Sequence, residues 1–351
     1  MIKVGILGLG GIGATHARAL ADLARSAAEV EVVAHSGGSP GLIAECGWPA
    51  ARRLDPAELI TDAGIDVLAI CSPSSSHAGH AEQALLAGKH VVIEKPMAVT
   101  TEEAVRLRDL ARDTGLLVSP VAQRRFEPLN IGLRAALQGS RLGRVVLAET
   151  FVHWHRGDDY YGQASWRTAP GGGGGSLMNQ GLHNVDLLCW LLGGASAVCG
   201  HAATLGHRIE VEDTTVAALR FVGGALGVIA TTTATPPGMP SEVAIWTTSG
   251  SATISQSGIE RWDFPGVAQP ASGELPGSGA SDPAAIGVAG HVAQWTDVLQ
   301  ALADGRDPVI TADDGLQTVA VLDGIYRSSA SGRTIEINDL IDTTAPEEVQ
   351  R

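Results

Sequence analysis

MIKVGILGLGGIGATHARALADLARSAA, residues 1–28, decides the fold. IKVGILGL reads as a strand and ATHARALADLARSAA as an amphipathic helix, with Gly8-Leu9-Gly10-Gly11-Ile12-Gly13 where one gives way to the other. A GxGxxG alone is a weak signal, because a tight turn from strand to helix uses glycine with or without a ligand. Directly after a strand and opening a helix, it has the context that a dinucleotide-binding loop requires. Without side chains, the backbone N–H groups can approach a pyrophosphate at the positive end of the helix. Gly8, Gly10, Gly11, Ile12 and Gly13 are therefore expected to bind a dinucleotide.

The alternation continues outward from this unit. VEVVAHS, DVLAICSP, HVVIEKP and LLVSPVAQ read as strands, and HAGHAEQALLAGK and EEAVRLRDLARDTG as helices closed by Gly88 and Gly115. That rhythm predicts a parallel sheet covered by helices, an α/β Rossmann domain over 1–122. Beyond it strands follow one another: VVLAETFVHW, AVCGHAATL, TTVAALRFV, ALGVIATTTAT, EVAIWTT and SATISQ. They predict a second, α+β domain over 123–340 with an open, mostly antiparallel sheet, which binds substrate and mediates oligomerisation. Residues 265–287, rich in Pro, Gly and Ser, read as a long surface loop, and 341–351 as a frayed tail.

Composition narrows the partners. A net charge of −14 over 351 residues disfavours nucleic acid and acidic membranes. No apolar run reaches the roughly 18–20 residues of a membrane span. The amino terminus reads as a first strand rather than a signal peptide. Cys46, Cys71, Cys189 and Cys199 lack metal-ligand spacing. They fit reduced thiols of a cytoplasmic protein with no metal site.

The second strand ends in His35-Ser36-Gly37-Gly38-Ser39, without the acid that would hydrogen-bond the ribose of NAD; Glu31 comes too early. Ser36, Ser39 and the loop N–H groups, that of Gly37 among them, could take a 2′-phosphate, although no Arg sits in the loop. NADP(H) is favoured and NAD(H) remains possible. Ser72 and Pro73 end another strand on the same edge, where they can line the nicotinamide ribose, and His77 and His80 can cap or line the same site. In Glu94-Lys95-Pro96, a Lys closes an apolar strand, a place where Lys is rarely buried unpaired. Beside a substrate hydroxyl it would stabilise alkoxide character as hydride leaves; pairing with Glu94 is the plainer reading.

GGGGGSLMNQGLHNVDLL, 171–188, opens like a linker, yet Asn179, His183 and Asp186 fall at i, i+4 and i+7 and would share one helical face. A functional helix that close to the glycines predicts a tight loop instead. His183 can accept a hydroxyl proton and return it, with Asp186 as its support; a core histidine satisfied by Asp186 is the alternative. His16, on the first helix, reads as solvated or packed rather than chemical.

GLGGIG at 8–13, EKP at 94–96 and QRRFEP at 123–128 resemble the Gfo/Idh/MocA oxidoreductases. The resemblance extends through 158–194, 210–232 and 290–309, nearly the whole chain. It implies a Rossmann domain followed by an open antiparallel sheet, with nicotinamide and substrate between them, and homodimers or homotetramers built through the sheet. It also implies that Lys95–Pro96 can be cis, that Lys95 and His183 form the catalytic pair, and that Trp166 and Arg167 approach the cofactor. Glu94 belongs to the same cofactor-side motif. One position departs from the inositol-type pattern. Asn179 stands where those members carry Asp, and an amide orients substrate but cannot take up a proton. In 151–168, Trp154, Arg156 and Tyr161, with Arg124, suit the apolar face and polar rim of a sugar ring; interface packing is the alternative.

Together these point to an NAD(P)-dependent dehydrogenase or reductase acting on a secondary alcohol or ketone of a sugar, anhydrosugar, glycoside or cyclitol. A nucleotide-sugar 3-dehydrogenase or ketoreductase of the same family, or a non-catalytic NADP-binding regulator, are the alternatives.

Overall fold

The computed structural model describes residues 1–139, 141–272 and 287–344. Most of the expected 265–287 loop and all but four residues of the expected tail lie outside the described residues. The chain forms two compact units. The first joins Met1–Gln123 to Val288–Val319; the second takes in the described residues of 124–287 and those from Ala320 onward.

The first unit runs β1 (Ile2–Leu7), α1 (Gly11–Arg25), β2 (Val30–Ser36), α2 (Leu42–Glu45), β3 (Arg52–Arg53), α3 (Pro56–Thr61), β4 (Val67–Ile70), α4 (His77–Leu86), β5 (His90–Ile93), α5 (Thr101–Thr114) and β6 (Val118–Pro120). All strand pairs are parallel, in the order β3-β2-β1-β4-β5-β6. β4 is buried along its whole length, as a strand covered on both faces must be. Because β1 sits between β2 and β4, the strand order reverses beside it. In an open parallel sheet, ligands bind outside the strand ends at such a reversal.

The second unit continues with α6 (Pro128–Gln138), β7 (Val145–His153), α7 (Asp158–Gly162), α8 (Leu182–Leu192), β8 (Ala195–Ala203), β9 (Thr214–Phe221), β10 (Leu226–Thr232), β11 (Glu242–Thr247), β12 (Ser251–Ser255) and β13 (Gly258–Asp263). The chain then forms α9 (Ala289–Asp304), α10 (Ala312–Ser331), β14 (Ile335–Glu336) and α11 (Ile337–Thr344). The sheet order is β13-β12-β11-β7-β10-β9-β8-β14, antiparallel except for the β7–β10 pair. β9 alternates in the way a half-covered strand does. Thr215, Ala217, Leu219 and Phe221 are buried, while Val216, Ala218 and Arg220 face outward.

Two expectations need correction. The stretch beginning at residue 290, assigned to the second domain by continuity, returns to the first unit as α9. Trp295 and Val298 are buried in the same core cluster as Ala14, Ala17 and Leu20 of α1. The small alanines of α1 let this second helix lie close. The chain from 341 is also not all tail. Ile337, Leu340 and Ile341 are buried at helical spacing in α11, which contacts β8.

Candidate active site

The loop after β1 is tied down by one carbonyl. Ser36 O accepts from Gly8 N at 3.1 Å and from Leu9 N at 2.8 Å. The glycines of the fingerprint then divide their work. Gly8 has φ +99°, and a Cβ there would lie 2.6 Å from the Cys71 carbonyl oxygen. A Cβ on Gly13 would lie 2.3 Å from Gly8 O, so this glycine lets α1 pack on its own loop. A Cβ on Gly10 or Gly11 would meet nothing within 4 Å. Those two face a cleft of about 600 Å³ that Ser36, Gly37, Ser72 and Pro73 also line. Ile12, beside them, is exposed. α1 has no side-chain N-cap and no acid in its first turn, so its first N–H groups and positive dipole end are left for a ligand. These groups fit a dinucleotide diphosphate.

The structure thus gathers Gly8, Gly10, Gly11, Ser36, Gly37, Ser72 and Pro73 around one cleft. His80 of α4, expected with His77 to cap or line the cofactor site, lines the same cleft, its Nδ1 lying 3.0 Å from Ser72 Oγ.

Two expected cofactor contacts prove to be supports. His77 is buried, with Nδ1 2.7 Å from Pro96 O and Nε2 2.8 Å from Ser72 O. It ties the ends of β4 and β5 together rather than facing ligand, and burial lowers its pKa. Glu94 is also buried. Its Oε1 accepts from His16 Nε2 at 3.0 Å and His291 Nε2 at 3.4 Å, while Oε2 accepts the Lys95 N–H at 3.0 Å. Burial by itself raises the Glu94 pKa, but hydrogen bonds and charge from the two histidines hold it well below the usual carboxylate range.

His16 is therefore not solvated. The Trp295 indole N–H donates to its Nδ1 at 2.9 Å, so its proton sits on Nε2 and points at Glu94. His16, Glu94 and His291 bring potential metal-ligand atoms within 4.8 Å of one another. A proton on His16 Nε2 leaves no lone pair there for a metal, so the trio reads as an anchor for the backbone of Lys95. Lys95–Pro96 is cis.

In the second unit Gly172, Gly174 and Gly175 of the glycine run are packed. A Cβ on Gly172 would come 2.1 Å from Trp166 O, and one on Gly174 2.2 Å from Arg167 O. Ser176–Gly181 follow as a π-helical turn leading into α8. Asn179 lies in that turn while His183 and Asp186 lie in the α-helix, so the single α-helical face predicted from spacing is interrupted. His183 is half-buried on the first turn of α8.

Asp186 is buried, and Arg125 donates to it through Nε at 2.9 Å and Nη2 at 2.6 Å. A carboxylate held by a bidentate guanidinium is a structural anchor, which corrects its reading as a substrate contact. Arg124 is likewise turned inward, its Nη1 donating to Asn184 Oδ1 at 2.5 Å.

Tyr161 is buried and its hydroxyl pairs with Thr233 Oγ1 at 2.7 Å; burial pushes its pKa up to about 12. Its hydroxyl is engaged within the protein, while the residue lines a cavity with Asp158, Ser165 and His207. Tyr160 lies beside Asn179. Its hydroxyl accepts from Asn179 Nδ2 at 2.9 Å and Gln180 Nε2 at 2.8 Å. The Arg167 and Arg156 guanidiniums lie 4.1 and 5.4 Å from its ring centroid. Arg156 is buried, donates to Gln180 Oε1 at 3.1 Å and sits 4.9 Å from the Trp154 ring. Buried Trp154 has an indole Nε1 without a hydrogen-bond partner among the described residues. Trp166 and Arg167 are half-buried, and Arg167 Nη1 donates to Tyr160 O at 2.7 Å. The Tyr160-Tyr161 pair was visible in the sequence; which of the two faces Asn179 was not.

Comparison with known proteins agrees with both units. Residues 2–121 match the oxidoreductase family with an NAD-binding Rossmann fold, and 132–253 match the GFO/IDH/MocA C-terminal domain. Inositol 2-dehydrogenase 2 of Saccharopolyspora erythraea is 33% identical over 195 residues, 55% of this chain and 54% of that protein. The scyllo-inositol 2-dehydrogenase (NADP(+)) IolW of Bacillus subtilis is 29% identical, over 60% of this chain and 58% of that protein. The first curated relatives are matched over about half their length. Among solved structures, the WlbA dehydrogenase of Bordetella pertussis, in complex with NADH and UDP-GlcNAcA, is 30% identical with a TM-score of 0.83, covering 95% of this chain and 98% of that one. An NAD-binding Rossmann unit followed by a mostly antiparallel sheet, with family matches in both, shows that the chain belongs to the GFO/IDH/MocA oxidoreductases.

Proposed function

We propose that the protein is an NAD(P)-dependent dehydrogenase or reductase. It moves hydride between C4 of the nicotinamide and a secondary alcohol or ketone of a sugar, anhydrosugar, glycoside or cyclitol. The observation that carries the reading is the open side of Gly10 and Gly11 at an uncapped helix start, a place made for a diphosphate. NADP(H) is the favoured coenzyme and NAD(H) the alternative, because β2 ends without an acid.

Lys95 donates a hydrogen bond to the reacting oxygen, and His183 takes the hydroxyl proton in oxidation and returns it in reduction. Asn179, held at Tyr160, orients the ring and stays neutral throughout. Trp154 and the rings and guanidiniums around Tyr160 form the wall against which a sugar's apolar face can rest.

A nucleotide sugar, as in the WlbA complex, is the second reading. Cationic groups would have to meet its diphosphate, yet Arg124 and Arg125 are already engaged with Asn184 and Asp186. That favours the smaller substrate. The outward face of the second sheet, with Val216 and Leu226 exposed, suits a homodimer or homotetramer. No described helix is long and apolar enough to cross a membrane, and all four cysteines are free, in keeping with work in the cytoplasm.

The test is NADPH and NADH absorbance across a panel of sugars, cyclitols and nucleotide sugars, with Lys95→Ala beside the native protein. Turnover should fall about a thousandfold or more in the variant while coenzyme affinity holds. A near-native rate would refute the assignment of Lys95. Tight coenzyme binding with no turnover on any substrate would favour a regulator.

A further inference from the structure

We propose that Arg53, from the edge strand β3, supplies the cation that binds the 2′-phosphate of NADP(H). The proposal rests on the coenzyme part of the reading above and adds a residue that the loop sequence does not contain. β2 and β3 run parallel, with Ala34 opposite Arg52 and His35 opposite Arg53. Arg53 is thus the last residue of its strand, about 4.8 Å across from the end of β2, on the strand edge where Gly37 and Ser39 line the cleft.

Cross-strand partners project from the same face, so the Arg53 stem leaves the sheet beside the His35 ring. That ring lies over the loop, its Nδ1 3.2 Å from Gly37 O. The Arg53 charge also helps to lower the His35 pKa, after burial, which puts the two groups within electrostatic reach.

The two neighbouring arginines are not equivalent. Arg52 points to the other face and is held by Asp62 at 2.5 Å. Arg53 is exposed and has no ion-pair partner among the described residues. The loop from Ser36 to Ala44 carries no acid that would repel a phosphate. A guanidinium with hydroxyls and N–H groups opposite it is the donor set a phosphate monoester calls for. The plainer account is a cation that blunts a sheet edge, but Arg52 would serve that purpose equally.

The experiment measures binding of NADPH, NADH, 2′,5′-ADP, 5′-AMP and inorganic phosphate to the full chain and to its Arg53→Ala, Arg53→Lys and Arg52→Ala variants. Circular dichroism confirms that each is folded. Arg53→Ala should weaken NADPH and 2′,5′-ADP about tenfold or more and leave NADH and 5′-AMP within about twofold. Arg53→Lys should fall between, and Arg52→Ala should match the native protein. Equal losses for NADPH and NADH, equal effects of the two alanine variants, or 2′,5′-ADP binding no tighter than 5′-AMP in the native protein would each overturn the proposal. If the native protein binds NADH as tightly as NADPH, the coenzyme preference above fails. Arg53 then stands if its alanine variant still narrows the gap between 2′,5′-ADP and 5′-AMP, and falls if it does not.

Discussion

The chain has two glycine-rich segments, Gly8–Gly13 and Gly171–Gly175, and they use glycine for opposite ends. In the first, Gly10 and Gly11 look into open space and the surrounding protein makes no use of the missing side chains. In the second, Gly172 and Gly174 lie against the carbonyl oxygens of Trp166 and Arg167, and Gly175, at φ +91°, against Glu212. Glu212 then binds Ser176 and Leu177 N–H groups and the Tyr326 hydroxyl. Gly10 and Gly11, open and lining the cleft, leave room for a ligand, whereas Gly172 and Gly174, bordered by backbone, mark packing. Composition alone cannot separate the two.

That contrast can be broken by substitution. Gly174→Ala should be strongly damaging, because its Cβ would sit 2.2 Å from a carbonyl oxygen with no flexible side chain to give way. Overpacking of that kind costs about 1–3 kcal/mol or more, so the second unit should melt several degrees lower. An unchanged melt would show that the loop can relax and that its packing is not tight. Gly11→Ala should do the reverse. Alanine favours a helix start over glycine by roughly 1 kcal/mol at most, so stability should hold or rise slightly. Coenzyme affinity should fall about tenfold, because the new methyl fills the ligand's room. A variant with native affinity would mean that the diphosphate lies elsewhere.

A third, smaller effect sharpens the same comparison by asking what else holds the first unit's site. His16 and His77 are buried and their pKa values are lowered from the usual 6.5, mainly by burial. The unfolded chain therefore binds protons first as pH falls. The stability that these groups contribute is fully present above pH 6.5 and is lost as pH drops toward their folded values. Thermal melts between about pH 7.5 and 5 should show this decline, and His16→Gln, which can still donate to Glu94 but cannot titrate, should make it shallower. An identical slope in the variant would remove His16 from the account.

Much of the fold was legible in the sequence. A strand, a GxGxxG and a helix in succession are local facts, and so are the apolar runs of β4 and β5 and the alternation along β9. Lys95 stood out because a cation at the end of an apolar strand needs a reason. The partners of these residues were not legible. Glu94 is 78 residues from His16 and 197 from His291, and only the fold brings them together. Asp186 looked available because its nearest charged partner, Arg125, lies 61 residues earlier. Tyr161 and Tyr160 are neighbours in sequence, but a short helix turns one hydroxyl to Thr233 and the other to Asn179.

The sequence by itself determined the order of elements, the dinucleotide loop and the residue types able to move a proton, because each depends on neighbours within a few positions. Tertiary structure alone decided three things. It returned α9 to the first unit, engaged Asp186, Glu94 and Tyr161 as supports, and set Arg53 beside the end of β2. Burial and hydrogen bonding between distant segments are what fix whether a polar side chain faces a ligand or another part of the protein.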